Sequence, residues 1–156
     1  MSFSIQSIFE VHLPVKNRAA STEFYQRVLG FELATEIPNR DITFLWIGGR
    51  GKGMLGLWGP ECPNPPIARG QAHFAFQVSL EELEMSPSVF KQQGVTPLDF
   101  DGQHTDEPVV LAWMPAASVY FKDLDGHSIE LISMLDEKPR SDLGVLSLSR
   151  WRAKAP

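Results

Sequence analysis

The chain has 156 residues, a length that suits one domain with a real core rather than several domains. Hydrophobic residues at 43% and charged residues at 21% exclude a disordered chain, and a formal charge of −5 with scattered Lys and Arg excludes a surface built to neutralise nucleic-acid phosphates. No apolar run is long enough to span a bilayer and no basic-then-apolar leader precedes the first strand pattern, so a cytoplasmic protein with small-molecule partners, and neither nucleic acid nor membrane, is expected.

In chain order, Ser7 to Val15 alternates with period two, with Phe9, Val11, Leu13 and Val15 on one face and Glu10 and His12 on the other, the pattern of a half-buried strand. Asn17 offers a helix N-cap, Phe24, Tyr25, Val28 and Leu29 recur at helical spacing, and Gly30 supplies the stop. Strand patterns follow at Phe31–Glu36, Thr43–Ile47 and Met54–Trp58, broken by glycine-rich turns. The single cysteine, Cys62, lies in a proline-rich loop, PECPNPP, with no second cysteine for a disulfide or a metal motif.

The same order then recurs. Gln71 to Val78 alternates again, with His73 on the polar face; Ser79 and Glu82 have capping-box spacing, and Gly94 ends the helix. Pro87 falls inside that helix and predicts a late start or a kink. Strand patterns follow at Thr96–Phe100, Val109–Trp113, Ser118–Asp123 and His127–Ser133. The expectation is an α+β fold of two tandem βαβββ units in a single domain, unit 1 over about residues 5–60 and unit 2 over about 70–134, with a tail over 135–156 in which Gly144 to Trp151 could form a strand or lid.

The apolar faces of the two first strands pack on their helices, which turns His12 and His73 toward whatever the sheets enclose. Asp123 to Gly126 is turn chemistry; with Leu124 to Gly126 as the loop, Tyr120 faces Glu130 across a hairpin while Ile129 and Leu131 point the other way. Two imidazoles and a carboxylate from three strands suit a divalent metal with positions left open. A solvated strand histidine, or Glu130 as a cross-strand partner of Lys122, fits the same pattern. His104 reads as a solvated loop residue and His127 as a structural turn residue, and the tail cations Lys138, Arg140, Arg150 and Arg152 either cover a site or face solvent.

The segments HLPVKN…FYQRVLGFEL, QAHFAF and VYFKDLDGHSIEL resemble the vicinal oxygen chelate superfamily, which includes glyoxalase I, fosfomycin-resistance enzymes, extradiol dioxygenases and bleomycin-binding proteins. The resemblance runs to about Ser133 and implies cupped mixed sheets around a divalent ion (Fe, Mn, Zn or Ni), metal ligands His12, His73 and Glu130, a catalytic Tyr120, and a homodimer. It implies a metal-dependent enzyme chelating vicinal oxygens of a small metabolite or electrophile, with lyase, isomerase or thiol-transferase chemistry. An extradiol ring-cleaving dioxygenase and a metal-free drug-binding protein are the alternatives. Departures narrow the branch. The acid that glyoxalase I carries on the last strand of its first unit has no counterpart, since no Asp or Glu lies between Ile42 and Pro60, and Leu55, Leu57 or a neighbour is expected there. The window for a dioxygenase's catalytic histidine, Leu111 to Trp113, reads LAW, and Pro14 stands where fosfomycin-resistance enzymes carry a hydroxyl.

Overall fold

The computed structural model describes residues 6–63 and 70–154, which form two compact units divided after Gln71. The part of the proline-rich loop beyond Pro63 lies outside the described residues. Among the described residues no helix is long and apolar enough to cross a membrane.

In unit 1 the order is β1 (Glu10–Pro14), α1 (Arg18–Leu29), β2 (Glu32–Ile37), β3 (Ile42–Trp46) and β4 (Met54–Trp58), in a sheet ordered β1-β4-β3-β2. β1 runs parallel to β4 and the other pairs are antiparallel. The Asn17 side chain caps α1 by accepting from the Ala20 N–H at 3.0 Å, and Gly30 closes it at φ 67°, where a side chain would be strained. Phe24, Tyr25 and Val28 from α1, with Leu13, Leu45, Leu55 and Leu57 from the strands, are buried and make the core. Each such leucine contributes about 1.5–3 kcal/mol by leaving water. Cys62 packs into a satellite cluster with Ile42 and Trp58.

Unit 2 repeats the plan with β5 (His73–Gln77), α2 (Leu80–Gln92), β6 (Val109–Leu111), β7 (Ala116–Lys122) and β8 (Ser128–Met134). It then adds β9 (Val145–Ser147) and α3 (Leu148–Lys154) from the tail, giving the sheet order β5-β8-β7-β6-β9. β5 runs parallel to β8 as β1 does to β4. The tail is therefore neither a loose extension nor a lid: β9 pairs antiparallel with β6 and covers what would be an open edge.

Two expectations change. α2 starts at Leu80 under a complete Ser79–Glu82 capping box and runs through Pro87 without a late start. The Leu83 carbonyl, four residues before Pro87 and denied its N–H, accepts the Ser86 hydroxyl at 2.8 Å instead. Thr96–Phe100 is not a strand. Leu98 makes isolated bridges to Tyr120 and His104, because Pro97 brings no donor and the chain turns back at Asp99 to Gly102.

Candidate functional site

The site in unit 2 is built on the β7–β8 hairpin. Asp123 Oδ1 accepts from the Asp125 N–H at 3.0 Å and the His127 N–H at 2.9 Å, and Gly126 takes φ 85°. This turn sets the register that brings Tyr120 opposite Glu130. His127 is structural: it is buried, and its Nδ1 accepts from the Ala72 N–H at 2.9 Å. Period two puts Ile129, Leu131, Val119 and Phe121 on the α2 side, where the Phe90 and Phe121 rings meet at 4.7 Å. Ser118, Tyr120, Lys122, Ser128 and Glu130 share the opposite face.

Glu130 is flanked by Tyr120 on β7 and Ala75 on β5 and is only 5% exposed. Its two oxygens have different company. Oε1 accepts the Ser118 hydroxyl at 2.6 Å; Oε2 lies 3.3 Å from His73 Nε2. The other His73 nitrogen, Nδ1, donates to the Ser128 carbonyl at 3.1 Å. A carbonyl can only accept, so the neutral ring carries its proton on Nδ1 and presents the Nε2 lone pair to the carboxylate. Two lone-pair donors pointed at each other repel unless a proton or a cation lies between them. Ligands each about 2.1 Å from one ion, at about 90–110° to each other, stand about 3.0–3.4 Å apart, and the His73–Glu130 separation falls within that span. A buried carboxylate with two hydroxyls, of Ser118 and Tyr120, and one imidazole for company is also short of positive charge.

Tyr120 is nearly buried, its ring centroid 6.1 Å from that of His73. Burial first, then the Glu130 charge and a hydrogen bond to it, push the phenol well above its usual range, against a smaller opposite effect of its hydrogen bond with Ser118. It is therefore a neutral hydrogen-bond donor at any ordinary pH. These side chains open into a hollow of about 570 Å³ whose apolar wall includes Leu98, Phe100, Leu111, Trp113 and Met114. His104 stays in its exposed loop near Asp106. Among the tail cations Arg152 is committed to Glu84 through two hydrogen bonds of 2.9 and 2.6 Å.

His12 belongs to unit 1, on β1, where it pairs with Gly56 of β4. The two parallel pairs correspond: His73 pairs with Ser128 and Ala75 with Glu130, as His12 pairs with Gly56 and Pro14 with Trp58. Trp58 thus holds in unit 1 the place Glu130 holds in unit 2. Of the expected Leu55, Leu57 or a neighbour, it is the neighbour Trp58 that stands there. Both leucines are fully buried in the core, because a shift of one residue along a strand exchanges its faces. The Trp58 indole N–H donates to His12 Nδ1 at 2.6 Å, and His12 Nε2 faces Glu10 Oε1 at 3.4 Å. Gly56 is required beneath them, since a Cβ there would lie 2.9 Å from His12 Nδ1 and 3.0 Å from the Phe44 ring.

Of the expected residues, the structure brings His73, Tyr120 and Glu130 together within unit 2 and gives His12 a partnership with Trp58. Among the described residues no group of three or more His, Cys, Asp and Glu side chains is arranged to hold an ion. The sequence reading missed Ser118 and Trp58. Ser118 sits at even spacing from Tyr120 on the same strand, a signal that period two carries once Glu130 is singled out.

Comparison with known proteins agrees with this architecture. The metallothiol transferase FosB of Staphylococcus haemolyticus is 28% identical over 132 residues, covering 81% of this chain and 83% of its own. Among solved structures, an integron cassette protein from the mobile metagenome of a Halifax Harbour sewage outfall is 35% identical with a TM-score of 0.70, over 83% of this chain and 100% of that one. The lactoylglutathione lyase of Agrobacterium tumefaciens is 25% identical with a TM-score of 0.64, over 84% of this chain and 96% of its own. Residues 7–131 match the Glyoxalase/Bleomycin resistance protein/Dioxygenase superfamily, and the chain belongs to that family.

Proposed function

We propose that the chain is an enzyme that uses a divalent ion to act on a small molecule with adjacent oxygens, with His73 and Glu130 of unit 2 as metal donors and Tyr120 as a hydrogen-bond donor to substrate. The observation that carries this reading is the convergence of His73 Nε2 and Glu130 Oε2 at 3.3 Å, with the far side of the imidazole tied to the Ser128 carbonyl. A histidine ligand fixed through its second nitrogen by a carbonyl is the usual outer-sphere arrangement of a metal site. The similarity to the FosB proteins, which are metallothiol transferases, supports a metal-dependent chemistry of this kind.

Bound there, a divalent ion would supply Lewis-acid stabilisation of negative charge on a chelated oxygen. The remaining work falls to the chain. Ser118 holds Oε1 of Glu130 and leaves Oε2 as the donor facing His73. Tyr120, opposite Glu130 on the same face, donates to a substrate oxygen beside the carboxylate. The buried Leu111 and the neighbouring Leu98 give the hollow an apolar floor beside that oxygen. In unit 1, with Nδ1 accepting from Trp58, the neutral ring of His12 carries its proton on Nε2, so a ligand role for His12 requires release of the indole first.

The test is the metal content of the purified protein by mass spectrometry, in wild type, His73→Ala and Glu130→Gln. Near-stoichiometric metal that both variants lose supports the reading. A wild type that takes up no Mn, Fe, Ni or Zn after reconstitution overturns it. A second reading, a metal-free small-molecule binder, then stands on the Trp58–His12 bond, which occupies the histidine without any ion.

A further inference from the structure

We propose that Phe100 and Trp113 form an aromatic clamp that selects ligands by a flat ring carrying the adjacent oxygens, and that the acidic loop around Phe100 turns away multiply charged anionic heads such as phosphonates. The proposal rests on the metal-site reading above and names the substrate class that site would take.

Four observations carry it. Phe100, Trp113 and Met114 are 48, 43 and 39% exposed, and all line the hollow that holds His73, Tyr120 and Glu130. Large apolar side chains left together in water on a concave surface mark a place where something apolar binds. The rings are arranged: Phe100 stands edge-on to Trp113 at 5.8 Å and to Tyr120 at 6.3 Å, so an aromatic path leads from the rim down to the phenol beside Glu130.

The clamp is also preorganised, which separates it from an accidental patch. Leu98 exchanges backbone hydrogen bonds of 2.7 and 2.9 Å with Tyr120, and Asp99 Oδ1 accepts from the N–H groups of Asp101 and Gln103 at 3.0 and 2.8 Å, fixing the turn that carries Phe100. On the other side, Ala112 donates to the Gly144 carbonyl at 3.0 Å and accepts from the Arg140 N–H at 2.7 Å. The tail therefore holds the loop that carries Trp113.

Charge gives the selection its sign. Among the described residues the hollow is lined by three carboxylates, Asp99, Asp101 and Glu130, against one ammonium, Lys122, with no arginine. A divalent ion would bring this lining to neutrality and leave nothing to balance a dianion. A site for phosphonate or phosphate oxygens is expected to carry Arg or several Lys side chains.

The experiment measures binding of benzohydroxamate and acetohydroxamate to metal-loaded protein by calorimetry. The two probes share one pair of adjacent oxygens and differ only in the ring. Benzohydroxamate is expected to bind about tenfold tighter to wild type. In Trp113→Ala and Phe100→Ala that ratio falls toward one, while metal content and acetohydroxamate affinity stay at wild-type values. Methylphosphonate is expected to bind more weakly than either, and to gain affinity in Asp101→Asn. A metal-loaded wild type that binds both hydroxamates equally, a preference that survives both ring deletions, or methylphosphonate as the tightest probe overturns the clamp. A protein that holds no metal and binds neither hydroxamate overturns the metal reading and the clamp with it.

Discussion

Trp58 donates its indole N–H to His12 Nδ1 at 2.6 Å from the β4 position that corresponds, in the second unit, to Glu130 beside His73. One copy of the repeat carries a carboxylate at this place and the other a neutral donor. A hydrogen bond of this kind is worth about 0.5–1.5 kcal/mol net, and it competes with any ligand role for His12. Trp58→Phe is therefore expected to bind Mn²⁺ or Zn²⁺ about two- to tenfold more tightly than wild type in a calorimetric titration. Unchanged or weaker binding would show that the indole supports the histidine rather than holding it back.

Ser118 and Glu130 separate stability from metal binding. Ser118→Ala removes the hydroxyl that Glu130 Oε1 accepts at 2.6 Å in a buried setting, and should lower unfolding stability in urea by about 1.5–3 kcal/mol with the metal retained. Glu130→Gln should do the reverse, losing the ion and keeping most of the stability. Two variants that lose metal together would give Ser118 a ligand role that its contacts do not indicate.

The phenol of Tyr120 is held protonated by burial and by the Glu130 charge beside it. In metal-free folded protein, ultraviolet titration should show no ionisation of Tyr120 through the usual phenol range, and Glu130→Gln should bring its ionisation to lower pH. Tyr120→Phe should keep the metal but weaken benzohydroxamate by about tenfold, the loss of one hydrogen bond to a charged oxygen. Full affinity in that variant would remove Tyr120 from the site.

The tail is expected to be part of the second unit's core. Trp151 is 3% exposed, and Trp151→Ala should cost about 3–5 kcal/mol in chemical denaturation. Arg152→Ala, which breaks only the exposed pair with Glu84, should leave the denaturation midpoint unchanged within error. A tail that can be removed without loss of stability would return it to the status of an appendage.

Much of this protein is legible along its chain, and for a local reason. Asn17, Gly30, Ser79 and Glu82 act within a few residues of themselves, so caps and helix limits follow from nearest neighbours. The turn from Asp123 to Gly126 likewise sets a hairpin register, and with it the meeting of Tyr120 and Glu130. Period two then assigns each strand residue to a face, and the tandem repeat with the family resemblance, not periodicity alone, marks His12, His73 and Glu130 as candidate ligands. Pro87 does not delay the start of α2, and its remedy, the Ser86 hydroxyl on the Leu83 carbonyl, depends on a rotamer rather than on residue type.

Tertiary structure decided what crosses between distant strands. The parallel pairs β1–β4 and β5–β8 join segments separated by a helix and two strands, so their registers rest on packing rather than on a turn. Only those registers bring His73 Nε2 to Glu130 Oε2 and select Trp58, among Leu55, Leu57 and their neighbours, to stand beside His12. The pairing of β9 with β6 is of the same kind, since an edge strand of three residues has too little pattern of its own to announce its partner. Residue types and their local spacing supplied the chemistry available to this protein; the burial of two cores determined which groups meet.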